Sequence, residues 1–398
     1  MHTTAMTHPP AETTGTSARA GFSKTAFIAL MTAHCAGMVD VVALPVWVAT
    51  LIGAYRLDAQ HAGALPALFL AGVVASSAIC ARLLGRIFMR ASASCGFAVA
   101  AVTFFYAGSA TSYFGMATLH LLAGLAIGCS LSVAHGAIGR STNPHRLFAS
   151  AGLALGGFSL AFLGFTPRMV AAHGGAAFFS TVAGVMAFAA VVCALAFPTR
   201  TPQVAQPSRT PSKLARPVWF AVAGVGCMAL TQAMLASFVA RIGIERGFGV
   251  GAVASVLFAL GVTNLLPAPL AALTQRWINA RVVVLIGPIV QAALSLTITL
   301  SNGFAPYAIA TAMFPAVMIF CHTYAFGLLA ALDDSGRTTA ATPAMVMAGA
   351  AIGPLLGGML VGHLGDTSLG FAALGIGVIA CVCFLQIPRS TLLTGHTP

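Results

Sequence analysis

Acidic residues are almost missing from this chain: 398 residues include only seven Asp and Glu, and charged residues of both signs make up 7% of the composition. A soluble domain carries about 25% charged residues, so a water-facing surface of ordinary size cannot be assembled from this sequence. The seven carboxylates (Glu12, Asp40, Asp58, Glu245, Asp333, Asp334, Asp366) punctuate apolar runs long enough to cross a bilayer. These runs are aliphatic, rich in Gly and Ala and without a ten-residue alternation, which favours helices over a barrel.

Chemical motifs are missing too. The nine cysteines lie within the apolar runs, singly or as Cys381 and Cys383, with neither a disulfide framework nor a zinc spacing. Paired carboxylates, a nucleophile elbow, a phosphate loop and metal-spaced histidines are all absent, so no enzyme, cofactor or metal is expected. The net charge of +12 is scattered between apolar runs and forms no basic stripe, which speaks for membrane topology and against nucleic acid. The opening segment has no apolar core or cleavage site, so it reads as a disordered tail and no signal peptide.

What is present is a set of twelve apolar runs, near 26–52, 62–84, 91–111, 113–138, 147–166, 174–197, 218–241, 249–272, 281–300, 304–331, 338–362 and 368–387. The sixth and seventh are separated by PTRTPQVAQPSRTPSKLARP, residues 198–217, a Pro, Ser and Thr-rich linker with four cations. The expected fold is an all-α membrane protein: a tail (1–25), a six-helix bundle (26–197), the linker, a second six-helix bundle (218–387) and a second tail (388–398). With an internal N-terminus, fifteen of the nineteen Lys and Arg fall on the cytoplasmic side, leaving Arg56, Arg168, Arg241 and Arg246 outside. The positive-inside rule therefore places both termini and the linker in the cytoplasm and the chain in the plasma (inner) membrane.

The halves resemble each other. IGAYRLDAQHAGALPALFLAG, residues 52–72, aligns with IGIERGFGVGAVASVLFALG, residues 242–261, sharing the opening Ile-Gly and a Leu-Phe before the closing Gly. Each block joins the first span of its half to the second, as a duplication would.

Twelve spans, a long central linker and two related halves resemble the major facilitator superfamily of secondary transporters, over nearly the whole chain after residue 25. The loop signature of that family is degenerate here: ARLLGRIFMR keeps Ala81, Gly85 and Arg86 but has Arg82 where the family has Asp. The resemblance implies gating roles for Arg82, Gly85 and Arg86, with the usual latch weakened by the missing Asp. The loop LDDSGRTT offers Asp333, Asp334 and Arg337 as a second gating set, against the default of a solvated turn. The loop LTQRWINAR, equivalent in the second half, is a weaker match still. In the fourth span HLLAGLAIG puts His120 where the family motif has Arg, followed by Gly124 and Gly128. GAAIGPLLGG, residues 349–358, matches a drug-exporter motif but lies in the eleventh span, where close helix packing is the simpler reading.

The resemblance also implies that the first, fourth, seventh and tenth spans line a central cavity. Those spans carry the mid-membrane polar residues: Asp40, His120, Thr231 with Gln232, and His322 with Tyr324. Ionised Asp near the centre of a span costs about 2.5–3.5 kcal/mol on insertion scales, a cost that a carboxylate able to take up a proton avoids in its neutral form. Asp40 is therefore the expected proton carrier and His120, which titrates where Arg cannot, its sensor or relay. Trp47, Gln232, His322, Tyr324 and, on the flank, Asn264 are the expected substrate contacts; Gln291 reads as packing, and His34, six positions from Asp40, falls off its stripe.

The reading that follows is a proton-coupled transporter of a small neutral, aromatic or weakly acidic solute, working by alternating access as a monomer in the lipid bilayer. No Arg or Lys lies deep in a span, which disfavours multiply charged anions. The alternatives are an uptake symporter for an organic acid, with histidines supplying positive charge, and a transporter-like receptor, which would need a signalling domain larger than the tail or linker. A tag inserted within 198–217 is expected to react only from the cytoplasm and one beside Asp58 only from outside; exterior labelling of the linker would reverse the orientation.

Overall fold

In a bilayer every backbone N–H and C=O must be paired within the protein, and an apolar run longer than eighteen residues achieves this alone only as a helix. The computed structural model, which describes residues 22–83, 88–141, 143–199, 215–332 and 337–388, is accordingly helical, with no strand among the described residues. Its helices are α1 (Lys24–Gly37), α2 (Val39–Gly53), α3 (Ala59–Leu83), α4 (Met89–Ala107), α5 (Tyr113–Gly139), α6 (Pro144–His173), α7 (Ala176–Ala196), α8 (Arg216–Glu245), α9 (Val250–Thr263), α10 (Pro267–Thr274), α11 (Ala280–Leu300), α12 (Phe304–Leu332), α13 (Arg337–Leu364) and α14 (Thr367–Leu385). They make twelve spans of membrane-crossing length and composition, the fold class expected; the chain is an integral multi-pass membrane protein.

Two spans are interrupted, which the apolar runs did not show. The first breaks at Met38 (φ −105°, ψ 22°) into α1 and α2, and the eighth breaks between Asn264, which caps α9, and Pro267, which opens α10. Proline suits a first helical position because it has no N–H to leave unpaired. The fifth span runs longer than expected: α6 continues through Pro167 to His173, forgoing one internal hydrogen bond.

Corresponding positions in the halves make the same contacts. Arg90, opening α4, donates from Nε to the carbonyl of Phe197 at the end of α7 (2.7 Å), and Arg281, opening α11, donates to the carbonyl of Ile387 just past α14. Each guanidinium satisfies a helix C-terminus that has no internal partner and attracts positive charge. The interval between these pairs equals that of the sequence repeat to within a residue. At the opposite end, Tyr55 donates to the carbonyl of Gly108 after α4 (2.8 Å), and Arg246 donates to the carbonyl of Ile298 in the last turn of α11 (2.7 Å). Arg241 joins α8 to the start of α14 through Asp366 (2.8 Å) and also meets Glu245 (2.7 Å). The N–H of His61, donating to Asp58 before α3, holds that carboxyl below its ordinary range.

The halves meet along α3 with α13, α6 with α9, and α2 with α8. Small residues let these backbones touch. A Cβ on Gly63 would stand 2.1 Å from the carbonyl oxygen of Pro354, and one on Gly358 would stand 2.4 Å from that of Ala59. The glycine motif of the eleventh span is thus a packing seam: Gly349 and Gly353 press on α8, and Gly358 on the other half.

Burial shows which end is sealed. Residues 42–48 of α2 and 233–240 of α8 are buried without exception. Toward the end of the bundle that carries the termini, α1 is flanked by α5, α6 and α7 and keeps an open stripe of Cys35 and Met38 that runs on to Val41 of α2, which is 48% exposed. The gap between the halves therefore opens toward the termini and ends near Val41. Gly358→Val must push α3 from α13, an overpacking cost of about 1–3 kcal/mol in the sealed state. Maleimide labelling of an Ala59→Cys reporter, at a seam position only 8% exposed, on a cysteine-free background is expected to rise in that variant; unchanged labelling of the folded protein would mean that the seam does not hold this end shut.

Candidate functional site

Asp40 is the second residue of α2, immediately past the break, and it is 1% exposed. The N–H groups of Asp40 and Val41, in the unpaired first turn, lie beside its carboxylate, while Oδ1 is buried without a hydrogen-bond partner. A helix N-terminus is the one backbone feature that favours negative charge inside a bilayer. Five residues on, Pro45 removes the helical partner of the Val41 carbonyl, so a polar backbone atom is left where the open stripe ends.

Two further candidates carry the same signature. Asn264, at the break of the eighth span, has a buried Oδ1 with no partner, and His322 of α12 has a buried Nε2 with none, its ring against Phe326 at 3.8 Å between centroids. An orphaned buried polar atom costs about 1–3 kcal/mol, so water or a solute is the natural partner. The hydroxyls of Ser141, Ser159, Thr166 and Thr311 and Nε of Arg140 are in the same condition, and nothing in the sequence singled them out.

Other candidates face elsewhere. His120 was expected on the cavity, but its ring lies inside the first half with no exposed surface. Trp47 donates from Nε1 to His120 Nε2 at 3.1 Å, and His120 Nδ1 meets the carbonyl of Met116 at 2.7 Å, so the ring is a neutral Nδ1–H tautomer with both nitrogens used. Phe104 and Phe179 enclose the imidazole, and Phe69, Phe104 and Phe178 enclose the indole. Among the described residues no hydrogen bond joins His120 to Asp40. Buried aromatics drew both side chains inward, which is why Trp47 does not reach an open surface either. Tyr324 also turns into its own bundle, where its hydroxyl pairs with that of Thr274 at 2.8 Å. Gln232 is half-buried and accepts from Gln291 Nε2 at 3.4 Å, and Gln291 also donates to the carbonyl of Met228. Gly124 and Gly128, after His120, pack on the α3 backbone at Phe69 and Val73.

Gly85, Arg86, Asp333 and Asp334 lie outside the described residues, as do the side chains of Arg82 and Arg337. The structure adds a pair that sequence reasoning missed: Nδ1 of His34 on α1 lies 3.0 Å from Nε2 of His135 on α5. Two histidines in the first and fourth spans were the available signal, but positions 101 apart show no contact until the spans are packed.

No family model matches the chain, and no curated relative matches it in sequence. Solved structures do. A bacterial homologue of the human lysosomal transporter Spinster, in an inward-facing and occupied conformation, aligns with TM-score 0.69 and 14% identity over 94% of this chain and 99% of its own. The same homologue, inward-facing and unoccupied, gives 0.67 and 13% over 94% and 98%. A D-xylose–proton symporter gives 0.73 and 14% over 94% and 99%. The chain thus has the twelve-helix fold of major facilitator transporters.

Trp47→Phe keeps the aromatic packing but leaves His120 Nε2 buried and unpaired, so it is expected to cost about 1–3 kcal/mol of stability. A thermal melt in detergent checks this, and an unchanged Tm would show that the bond adds nothing.

Proposed function

We propose that the protein is a secondary transporter that moves a small neutral, aromatic or weakly acidic organic solute by alternating access and couples this movement to protons at Asp40. The observation that carries the reading is the buried, unpartnered Asp40 oxygen at a helix break beside the end of the open stripe, within a fold shared with transporters. A carboxylate in that place is neutral when the halves close around it and can ionise when water reaches it, so closure and proton binding favour each other. One of the solved neighbours is itself a proton symporter, which supports the coupling.

His322, Asn264 and Gln232 are the residues assigned to the solute, because the first two have free polar atoms and the third is half-buried. His120 and Trp47 position α2 and α5 from behind and touch neither solute nor proton. The termini and the open end are assigned to the cytoplasm by the positive-inside rule, with the far seal at the exterior, and the monomer is assigned as the working unit.

The test is transport into proteoliposomes from a mixed metabolite pool, read by mass spectrometry with and without an imposed pH gradient. Wild type is expected to concentrate at least one small solute only when the gradient is present. Asp40→Asn, which keeps shape but fixes the neutral state, is expected to lose that accumulation while exchange of the same solute survives. Normal gradient-driven accumulation by Asp40→Asn would reduce the carboxylate to a packing group and end the proposal.

A further inference from the structure

The His34–His135 contact is not used by that reading, and its chemistry is specific. The rings are 5.2 Å apart between centroids and tilted by 39°, with His135 also against Phe148 of α6 at 5.6 Å. His34 is buried and His135 half-buried. A nitrogen–nitrogen hydrogen bond needs one N–H between the two atoms. Two neutral imidazoles can supply it, and an imidazolium with a neutral imidazole makes it stronger because the donor is charged. Two imidazolium rings cannot make it, since both facing nitrogens would carry hydrogens and like charges would stand in contact. The contact accommodates one added proton and not two.

Its place in the fold agrees. His34 lies in the last turn of α1, whose carbonyl end attracts positive charge, just as Asp40 lies in the first turn of α2, whose N–H end attracts negative charge. The interruption at Met38 thus sets a basic and an acidic group on the two sides of one break. The other ionisable side chains described on the helices packed around the pair are Lys24 and Cys35 on α1, Asp40 on α2, His61 and Cys80 on α3, Arg90, Cys95 and Tyr106 on α4, Tyr113, His120, Cys129 and Arg140 (α5 and its cap), Arg146, Arg168 and His173 on α6, and Cys193 on α7. Arg140 points its Nη2 at the sulfur of Met89, and Arg146 is exposed. Among the described residues none of these hydrogen-bonds to either ring, so the pair has no charged partner of its own.

We propose that His34 and His135 form one proton-binding site, a single shared proton per pair, filled from the aqueous gap along α1 and exchanging with Asp40 across the break. The site itself needs only the pair; its exchange with Asp40 rests on the coupling reading above.

The experiment uses the full chain in lipid nanodiscs with ¹⁵N-labelled histidine and no solute, followed by NMR from about pH 8 to about pH 5, the range in which imidazole titrates. The expected result is that the His34 and His135 ring nitrogens shift together in one step worth one proton, and that His135→Gln or His34→Gln changes the step of the ring that remains. Rings that stay neutral throughout, rings that each take a full proton, or a His34 step untouched by His135→Gln would each overturn the site. The two proposals fail separately. A joint step with Asp40→Asn still gradient-driven leaves the site standing and removes the coupling role of Asp40; loss of coupling in Asp40→Asn with both rings neutral removes the site alone.

Discussion

Every backbone polar group that enters the hydrocarbon must be paired inside the protein, and the rest of this structure follows from that demand. It makes each apolar run a helix, and it makes any interruption of a helix an event with chemical consequences. The two interruptions, at Met38 and before Pro267, expose backbone ends in mid-membrane, and polar side chains stand at both: His34 and Asp40 around the first, Asn264 at the second. Elsewhere the same demand appears at the helix ends, where Arg90, Arg281 and Arg246 cap terminal carbonyls that would otherwise go unpaired.

Lipid gives helices no hydrophobic reason to associate, so close contact depends on small residues that let backbones touch. That explains the weight carried by glycine. Gly63 and Gly358 close the seam between the halves, Gly124 and Gly128 close that between α5 and α3, and Gly349 and Gly353 that between α13 and α8. Only the first of these lies between the halves, which also meet where Gly261 of α9 faces Leu160 of α6; the other two hold helices together within one half. The far end is sealed, while α1 keeps an open stripe toward the termini.

Within the first half, burial separates two kinds of histidine. His120 is enclosed by aromatic rings, and both of its nitrogens are spent on Trp47 and Met116. His34 and His135 spend one nitrogen each, and spend it on each other. Identical side chains in the same pair of spans are thereby given different chemistry: a fixed tautomer that orients two helices, and a contact that can gain a proton.

Composition and patterning by themselves determined the membrane environment, twelve helical spans, a break between halves after the sixth, and the repeat that the paired Arg caps reproduce, because hydropathy and helix length are properties of neighbouring residues. Asp40 was legible for the same reason: a carboxylate in an apolar run stands out wherever the run is placed. Which way a polar side chain faces was decided only by packing. Trp47 and Tyr324 read as cavity residues but turn into the cores of their bundles, and His34 read as off the stripe but meets His135 across 101 positions, since the direction of a side chain depends on which helices surround it and not on its own helix alone. The interruption at Met38 belongs to tertiary structure as well: no proline marks it within the preceding turn, and α1 and α2 part there because one packs within its own half while the other reaches α8 in the second.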